Sequence, residues 1–417
     1  MQAMAIPQLL KCIRCNQSAP LEAFDSACDR CTSDGVHSNL TVDYGEWSPP
    51  VRCELPTWPN SMWRFAGQLP VAMERAVSLG EGATPLIAAD GLVPCSLLLK
   101  DETRNPTWSF KDRLASVAVS WAKHIGAKVI ATSSTGNAGA AAAAYAAHAG
   151  PPCVVLTFGG VAPAMITQIR SYGAMVLTVA TKDERWAVLS EAVIELGWFP
   201  TSPFFGPAVG SNPIGLEGYK TIAYEIAEQC DWRAPDWCVL PVCYGDALYG
   251  IWKGFEEMRG WGWIDRSPRL VAAEVSGSLT AALADESTMP PDVPRSGRSL
   301  AISIDVTRGT YQALHALRES DGTAVNLEDA ALLDWQQRLA SGSGLFVETS
   351  SAAALAAIDW LTQRGTIGRD DTVVAVLTAS GLKDVGIGEG EPSSTPKVSA
   401  DLDSVLGALR NTYGFDD

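Results

Sequence analysis

Three groups of residues in this 417-residue chain have the types and spacing to do chemistry. The first is NPTWSFKDR, Asn105 to Arg113, in which Lys111 is set among turn-forming residues just after a strand-like run. A lysine on such a loop, pointing into a cleft, loses hydration, which lowers its pKa and frees the amine for Schiff-base chemistry. By itself the stretch reads more simply as a solvated Lys111 paired with Asp112. The second group is ATSSTGNAGAAAAAYAA, starting at Ala131, where Ser133, Ser134, Thr135, Gly136 and Asn137 form a polar turn opening into an Ala-rich helix. Exposed N–H groups and hydroxyls at a helix start make a seat for a carboxylate such as that of an amino acid. An ordinary Ser/Thr helix cap has the same appearance. Together, a carboxylate seat and a Schiff-base lysine describe a pyridoxal phosphate (PLP) enzyme. The third group is Cys12-x-x-Cys15 followed, after twelve residues, by Cys28-x-x-Cys31. Two such knuckles can place four thiolates tetrahedrally around one zinc, and with every position filled the metal is structural rather than a Lewis acid. Disulfides are the alternative, disfavoured where thiols are kept reduced.

The elements that must position these groups are alternating strands and helices. Short β-branched runs (Ser96 to Lys100, Lys128 to Thr132, Cys153 to Thr157, Met175 to Ala180) are each followed by helical periodicity, as in DRLASVAVSWAKH and DERWAVLSEAVIEL. A second series runs through Trp237 to Val242, Arg269 to Val275 and Asp371 to Ala379, after a Pro/Gly/Phe-rich crossing at Thr201 to Pro213. This alternation predicts an α/β fold with two parallel-sheet units and a cleft between them, the usual place for a ligand. The expected boundaries are a zinc ribbon over 1–45, a large domain over 46–95 and 201–390, a small domain over 96–200 and a tail over 391–417. The net charge of −16 and pI near 4.7 repel nucleic-acid phosphates and anionic membranes, so neither is an expected partner. No apolar run reaches the roughly 20 residues a bilayer needs, and MQAMAIPQLLKC has no leader pattern, so a cytoplasmic protein is expected.

NPTWSFKDR, SSTGNAGAAAAAYAA, SLGEGATPL, LEGYKTIAYEIAE, LFVETSSAAALAA and TASGLKD stand in the order and spacing of the threonine synthase family, which the chain resembles up to about Asp384. That resemblance implies a fold type II PLP enzyme, homodimeric, with the leading zinc ribbon of many members. It implies that Lys111 carries PLP as a Schiff base and acts as the base at Cα. Asn137 would bond the cofactor's phenolic oxygen, and Thr378 would face its pyridine nitrogen. The turn Cys243, Tyr244, Gly245, Asp246 and Ala247 would cradle its phosphate. Ser134, Thr135, Gly136 and Trp108 would meet the amino-acid substrate, with Thr135 steering a proton or a water. A hydroxyl beside the pyridine nitrogen leaves the ring a weaker electron sink than a carboxylate does, which favours elimination and replacement over transamination.

Three positions depart from the family. Asp246 stands in the phosphate turn, where a carboxylate is unfavourable unless it points away or caps a helix starting near Leu248. Val209, Gly210 and Gly215 replace the Asn, Ser and Arg that hold the substrate phosphate in threonine synthases. Trp108 replaces a glycine and must place an indole over the cofactor, in the substrate pocket, or outward. The expected activity is β- or γ-elimination or replacement on an amino acid other than O-phosphohomoserine. Threonine synthase, a serine/threonine-type dehydratase and a non-catalytic paralogue are the alternatives.

Overall fold

Leu9–Cys12 (β1), Ser18–Ala19 (β2) and Leu40–Asp43 (β3) form an antiparallel ribbon in the order β2-β1-β3. The strands that follow are Leu86–Ala88 (β4), Ser96–Asp101 (β5), Ile130–Ser133 (β6), Cys153–Phe158 (β7), Met175–Val179 (β8) and Phe199–Pro200 (β9). Trp237–Pro241 (β10), Arg269–Glu274 (β11), Thr323–Asn326 (β12) and Thr372–Leu377 (β13) complete the set. The larger sheet has the order β12-β11-β10-β13-β5-β4, parallel except for β4, and the smaller is the parallel β8-β7-β6-β9. The computed structural model describes residues 6–22, 27–46, 51–134, 136–159, 162–294, 297–385 and 396–415. Residues 1–384 form one unit and 385–417 another, the latter carrying the helix Leu402–Ala408. Among the described residues no helix is long and apolar enough to cross a membrane.

The boundary expected at residue 96 is corrected by the sheet topology. β5 runs parallel to β13 from Ser96–Thr372 to Asp101–Leu377, so it belongs to the larger sheet, and the smaller sheet begins at β6. Strand and helix patterns reveal an alternation but not which sheet a strand joins; the backbone edge of β5 is paired with β13.

The helix Lys111–His124 is buried from Asp112 to Ala122, which explains its apolar and small residues on every side. Its one large charged group inside, Arg113, is fully buried and bidentate to two carboxylates. Nε and Nη2 donate to Glu102 at 2.7 Å each, and Nη1 and Nη2 donate to Glu225 at 2.8 Å each. Lys100 donates to Glu225 at 2.7 Å, to Gln229 at 2.9 Å and to the Thr84 carbonyl at 2.7 Å. Two cations and two acids close a neutral network that ties β5, the Gly-rich loop around Thr84, the lysine helix and the helix Lys220–Gln229. Burial pushes the Glu225 carboxyl up, but Arg113 and Lys100 beside it hold it well below its ordinary value.

Breaking a buried pair costs about 3–5 kcal/mol, because the remaining charge is left uncompensated. Glu225→Gln should therefore lower the urea-unfolding free energy at neutral pH by that amount; a loss below about 1 kcal/mol would show that the network adds no stability. A depressed folded pKa gives stability that is fully present above the unfolded value of about 4.3 and is lost as the pH falls below it. The gap between wild type and variant should narrow in acid.

Candidate active site

The candidate residues lie just beyond the carboxyl ends of parallel strands, the position where open α/β sheets bind ligands. β6 ends at Ser133 before the turn to Asn137, β10 ends at Pro241 before Cys243–Ala247, and β13 ends at Leu377 before Thr378. The Lys111 segment is stitched to the end of β13. Phe110 N–H donates to the Thr378 carbonyl at 2.9 Å and Ser380 N–H to the Trp108 carbonyl at 3.1 Å.

Lys111 opens its helix half-buried, with Nζ 4.5 Å from the centre of the Phe110 ring and 5.7 Å from that of Tyr219. The pairing with Asp112 does not form. Asp112 is buried and accepts from Thr107 N–H at 2.7 Å and from Thr107 Oγ1 at 2.5 Å, fixing the turn before the lysine. Lys383 Nζ donates to the Thr107 carbonyl at 2.6 Å on the other side of that turn. Burial lowers the Lys383 ammonium to about 8, and raises the Asp384 carboxyl to about 7.

Ser134 Oγ accepts from Gly136 N–H at 3.1 Å and Gly139 N–H at 2.9 Å, so it serves as a local cap. Among the described residues the first-turn N–H groups of Asn137 and Ala138 meet no acceptor. A side chain at Gly136 would crowd Met165, at 3.1 Å from an added Cβ. Thr135 lies outside the described residues. Asn137 Nδ2 donates to Glu348 Oε1 at 2.8 Å, while its Oδ1 is buried without a partner, as are Ser109 Oγ and Ser133 Oγ. Thr378 Oγ1 is 2.7 Å from Ser351 Oγ, a hydroxyl pair with no carboxylate in it. Glu348, Ser351 and Lys383 stand in stretches that carry the family resemblance, yet residue type alone gives them no role; their contacts do. Burial raises the Glu348 carboxyl above its ordinary value.

The phosphate turn is built by its glycine. Gly245 has φ +74°, and a Cβ there would come within 2.3 Å of the Ala313 Cβ, so only glycine fits. The following helix begins at Asp246, not near Leu248, and spans Asp246–Gly260. Asp246 does not cap it. Its Oδ1 accepts from Ser211 N–H at 2.9 Å and Gln312 Nε2 at 2.7 Å, and its Oδ2 from Ser211 Oγ at 2.6 Å. Both carboxylate oxygens are thus occupied. The turn itself is held by Thr310 Oγ1, which donates to the Tyr244 carbonyl at 2.6 Å. A glycine turn, a 15-residue helix start and orphaned polar atoms beside the lysine fit a phosphorylated cofactor such as PLP.

These motifs have the family pattern along the whole chain. The sequence profile described as "Pyridoxal-phosphate dependent enzyme" matches residues 77–379. The chain belongs to that family. Among curated relatives it is 36% identical to "Threonine synthase" of Methanosarcina acetivorans, over 96% of this chain and 98% of that protein. It is 32% identical to "Threonine synthase" of Methanocaldococcus jannaschii, over 96% and 99%. The crystal structure of O-ureido-L-serine synthase shares the fold, with a TM-score of 0.60 and 22% identity over 75% of this chain and 94% of that one. This PLP-family chain is accordingly an α/β protein of fold type II.

At the N-terminus, the Cys12 and Cys31 sulfurs are 3.6 Å apart, as are those of Cys15 and Cys28, and all four lie within 4.8 Å of one another. A tetrahedron with metal–sulfur bonds of about 2.3 Å has sulfur–sulfur edges of about 3.8 Å, so the cluster suits zinc.

Trp108 is 50% exposed and has φ +66°, the left-handed region that favours glycine. Holding a side chain there costs about 1 kcal/mol. Trp108→Gly should therefore be more stable than Trp108→Ala by about 1 kcal/mol, although both lose the same indole. Equal unfolding free energies for the two variants would refute the strain.

Proposed function

We propose that this PLP-family enzyme eliminates or replaces a group at Cβ or Cγ of an α-amino acid other than O-phosphohomoserine. The observation that carries the exclusion is the packing of Gly215: an added Cβ would stand 3.0 Å from the Ala118 Cβ and 3.1 Å from Leu114 Cγ. An arginine is absent there, and even a Cβ would need Leu114 or Ala118 to give by a few tenths of an ångström. At Gly210, φ is +136°, and a Cβ would strike Gln312 Nε2 at 2.3 Å; Val209 is apolar and buried. The other cations and hydroxyls near in sequence are engaged. Arg104 is paired with Asp101, Lys220 with Glu217 and Glu257, and Ser211 with Asp246.

PLP supplies an electron sink for negative charge at the substrate Cα. Lys111 Nζ takes and returns the proton at that carbon, shielded from water by the Phe110 and Tyr219 rings. The N–H groups of Asn137 and Ala138 seat the substrate carboxylate. Thr378, bonded to Ser351, offers the pyridine nitrogen a neutral partner, which suits elimination and replacement. The names of the curated relatives support the β/γ class of chemistry. The four cysteines hold one structural zinc in this reading.

Purified protein should be yellow, and borohydride should fix the cofactor on Lys111, with Lys111→Ala losing adduct and turnover. Protein that stays colourless with excess PLP would sink the reading. Metal analysis should find about one zinc per chain, lost in Cys12→Ser with Cys15→Ser. An unpaired phosphate dianion in a closed cleft costs several kcal/mol, so O-phosphohomoserine should be used at least about a thousandfold less efficiently than by an ordinary threonine synthase. Phosphate release coupled to threonine formation at an ordinary rate would overturn the exclusion. Restoring an arginine requires space, so Gly215→Arg should gain activity on that substrate only together with Leu114→Gly.

A further inference from the structure

Arg185 stands in the first turn of the helix Lys182–Leu196 and is 5% exposed. Among the described residues its guanidinium has no carboxylate partner, and its Nε has no hydrogen-bond acceptor. Its Cζ lies 5.1 Å from the centre of the Phe158 ring, at the carboxyl end of β7. Arg185 lies near Tyr244 and Cys243 of the 243–247 turn, and burial lowers its pKa. Trp186, next in sequence, packs its ring 6.2 Å from that of Tyr244, so this helix start overhangs the turn. A second guanidinium, that of the exposed Arg298, lies 5.2 Å from the same Phe158 ring and donates to the Gly159 carbonyl at 3.4 Å.

A buried cation without a counter-ion is costly, and the aromatic face recovers only part of that cost. Among the described residues the buried cations Arg113, Lys100 and Lys220 have acidic partners, Glu102 and Glu225, Glu225, and Glu217 and Glu257 respectively, whereas Lys383 donates to the Thr107 carbonyl. Arg185 is built differently, at the carboxyl edge of the smaller sheet and facing the turn that follows β10. One buried guanidinium matches one monoanion and can grip it with two parallel hydrogen bonds, whereas a phosphate dianion would keep half its charge unmatched.

We propose that Arg185 receives a distal monoanion of the substrate, so that the amino acid taken by this enzyme ends in a carboxylate or sulfonate. This rests on the reading of the cleft as an amino-acid site. Arg298, at the rim, adds attraction without being buried. The cost of holding Arg185 uncompensated is recovered when the anion arrives, which makes the arginine a selector of substrate.

The test compares acid and amide isosteres. L-Glutamate against L-glutamine, and L-aspartate against L-asparagine, are titrated into PLP-loaded protein and followed by visible absorption. Wild type should prefer each acid over its amide by about 10- to 100-fold, the contribution of hydrogen bonds to a charged group. Arg185→Gln should abolish the preference, and Arg185→Lys, which cannot form the fork, should keep only part of it. Arg185→Gln removes a buried unpaired charge, so its thermal midpoint should be equal to or above that of wild type. If Arg185→Gln leaves the acid-to-amide ratio unchanged but weakens PLP binding tenfold, the arginine serves the cofactor phosphate and the proposal is overturned. If wild type binds no PLP, the cleft reading fails by itself. Stabilisation by succinate of wild type but not of Arg185→Gln would then still support the anion site, and equal responses would refute it.

Discussion

Everything near Lys111 depends on the buried ion network centred on Arg113. The lysine must sit at a helix start that is rigid, and the first turn of that helix offers nothing rigid of its own: Lys111 has no ion pair among the described residues. Two residues later Arg113 clamps Glu102 from the β5 side and Glu225 from the helix Lys220–Gln229, with Thr221 and Thr84 filling its remaining donors at 2.8 Å and 3.2 Å. A planar fork that satisfies two carboxylates at once fixes direction as well as distance. The lysine inherits that direction through the backbone. Asp112 does the same for the preceding turn by gripping Thr107, so its carboxylate is spent on that turn rather than on Lys111.

A second line of support runs from the cysteine ribbon to the phosphate turn. Cys12 Sγ touches Ser38 Oγ at 3.4 Å, and the next residue, Asn39, donates from Nδ2 to the Ser211 carbonyl and to Gln312 Oε1, both at 3.1 Å. Ser211 and Gln312 are the residues that occupy the Asp246 carboxylate, and Gln312 also donates to the Tyr244 carbonyl at 3.0 Å. The ribbon thus braces the turn through two hydrogen-bond steps. It also accounts for an aspartate in a phosphate cradle: Asp246 is a tie between the turn and the segment at residue 211, its charge met by three donors before any ligand arrives.

The alternation of strand and helix and the cysteine cluster were legible in the sequence because each depends on local pattern, period or fixed spacing, whereas the stretches bearing Gly245 and Thr378, and the roles expected of Lys111 and Asn137, came from the family resemblance. What was not legible depends on partners distant in the chain. The sheet membership of β5 is decided by register with β13, some 276 residues away. Gln312 lies in no motif, and nothing about its type marks it as the holder of Asp246. Trp108 left three placements open, over the cofactor, in the pocket or outward, and its left-handed backbone and half exposure could not be read from residue type.

Of the three positions 209, 210 and 215 that depart from the family resemblance, the two glycines are closely packed. Leu114 and Ala118 close on Gly215, and Asn39 and Gln312 close on Gly210. Among the described residues Arg185 stands buried beside Phe158 without a carboxylate partner. A desolvated guanidinium at a strand's carboxyl edge, where an apolar residue is often stabilising, is a cost that an arriving anion would offset; that charge balance is the physical ground for proposing a substrate with an anionic end.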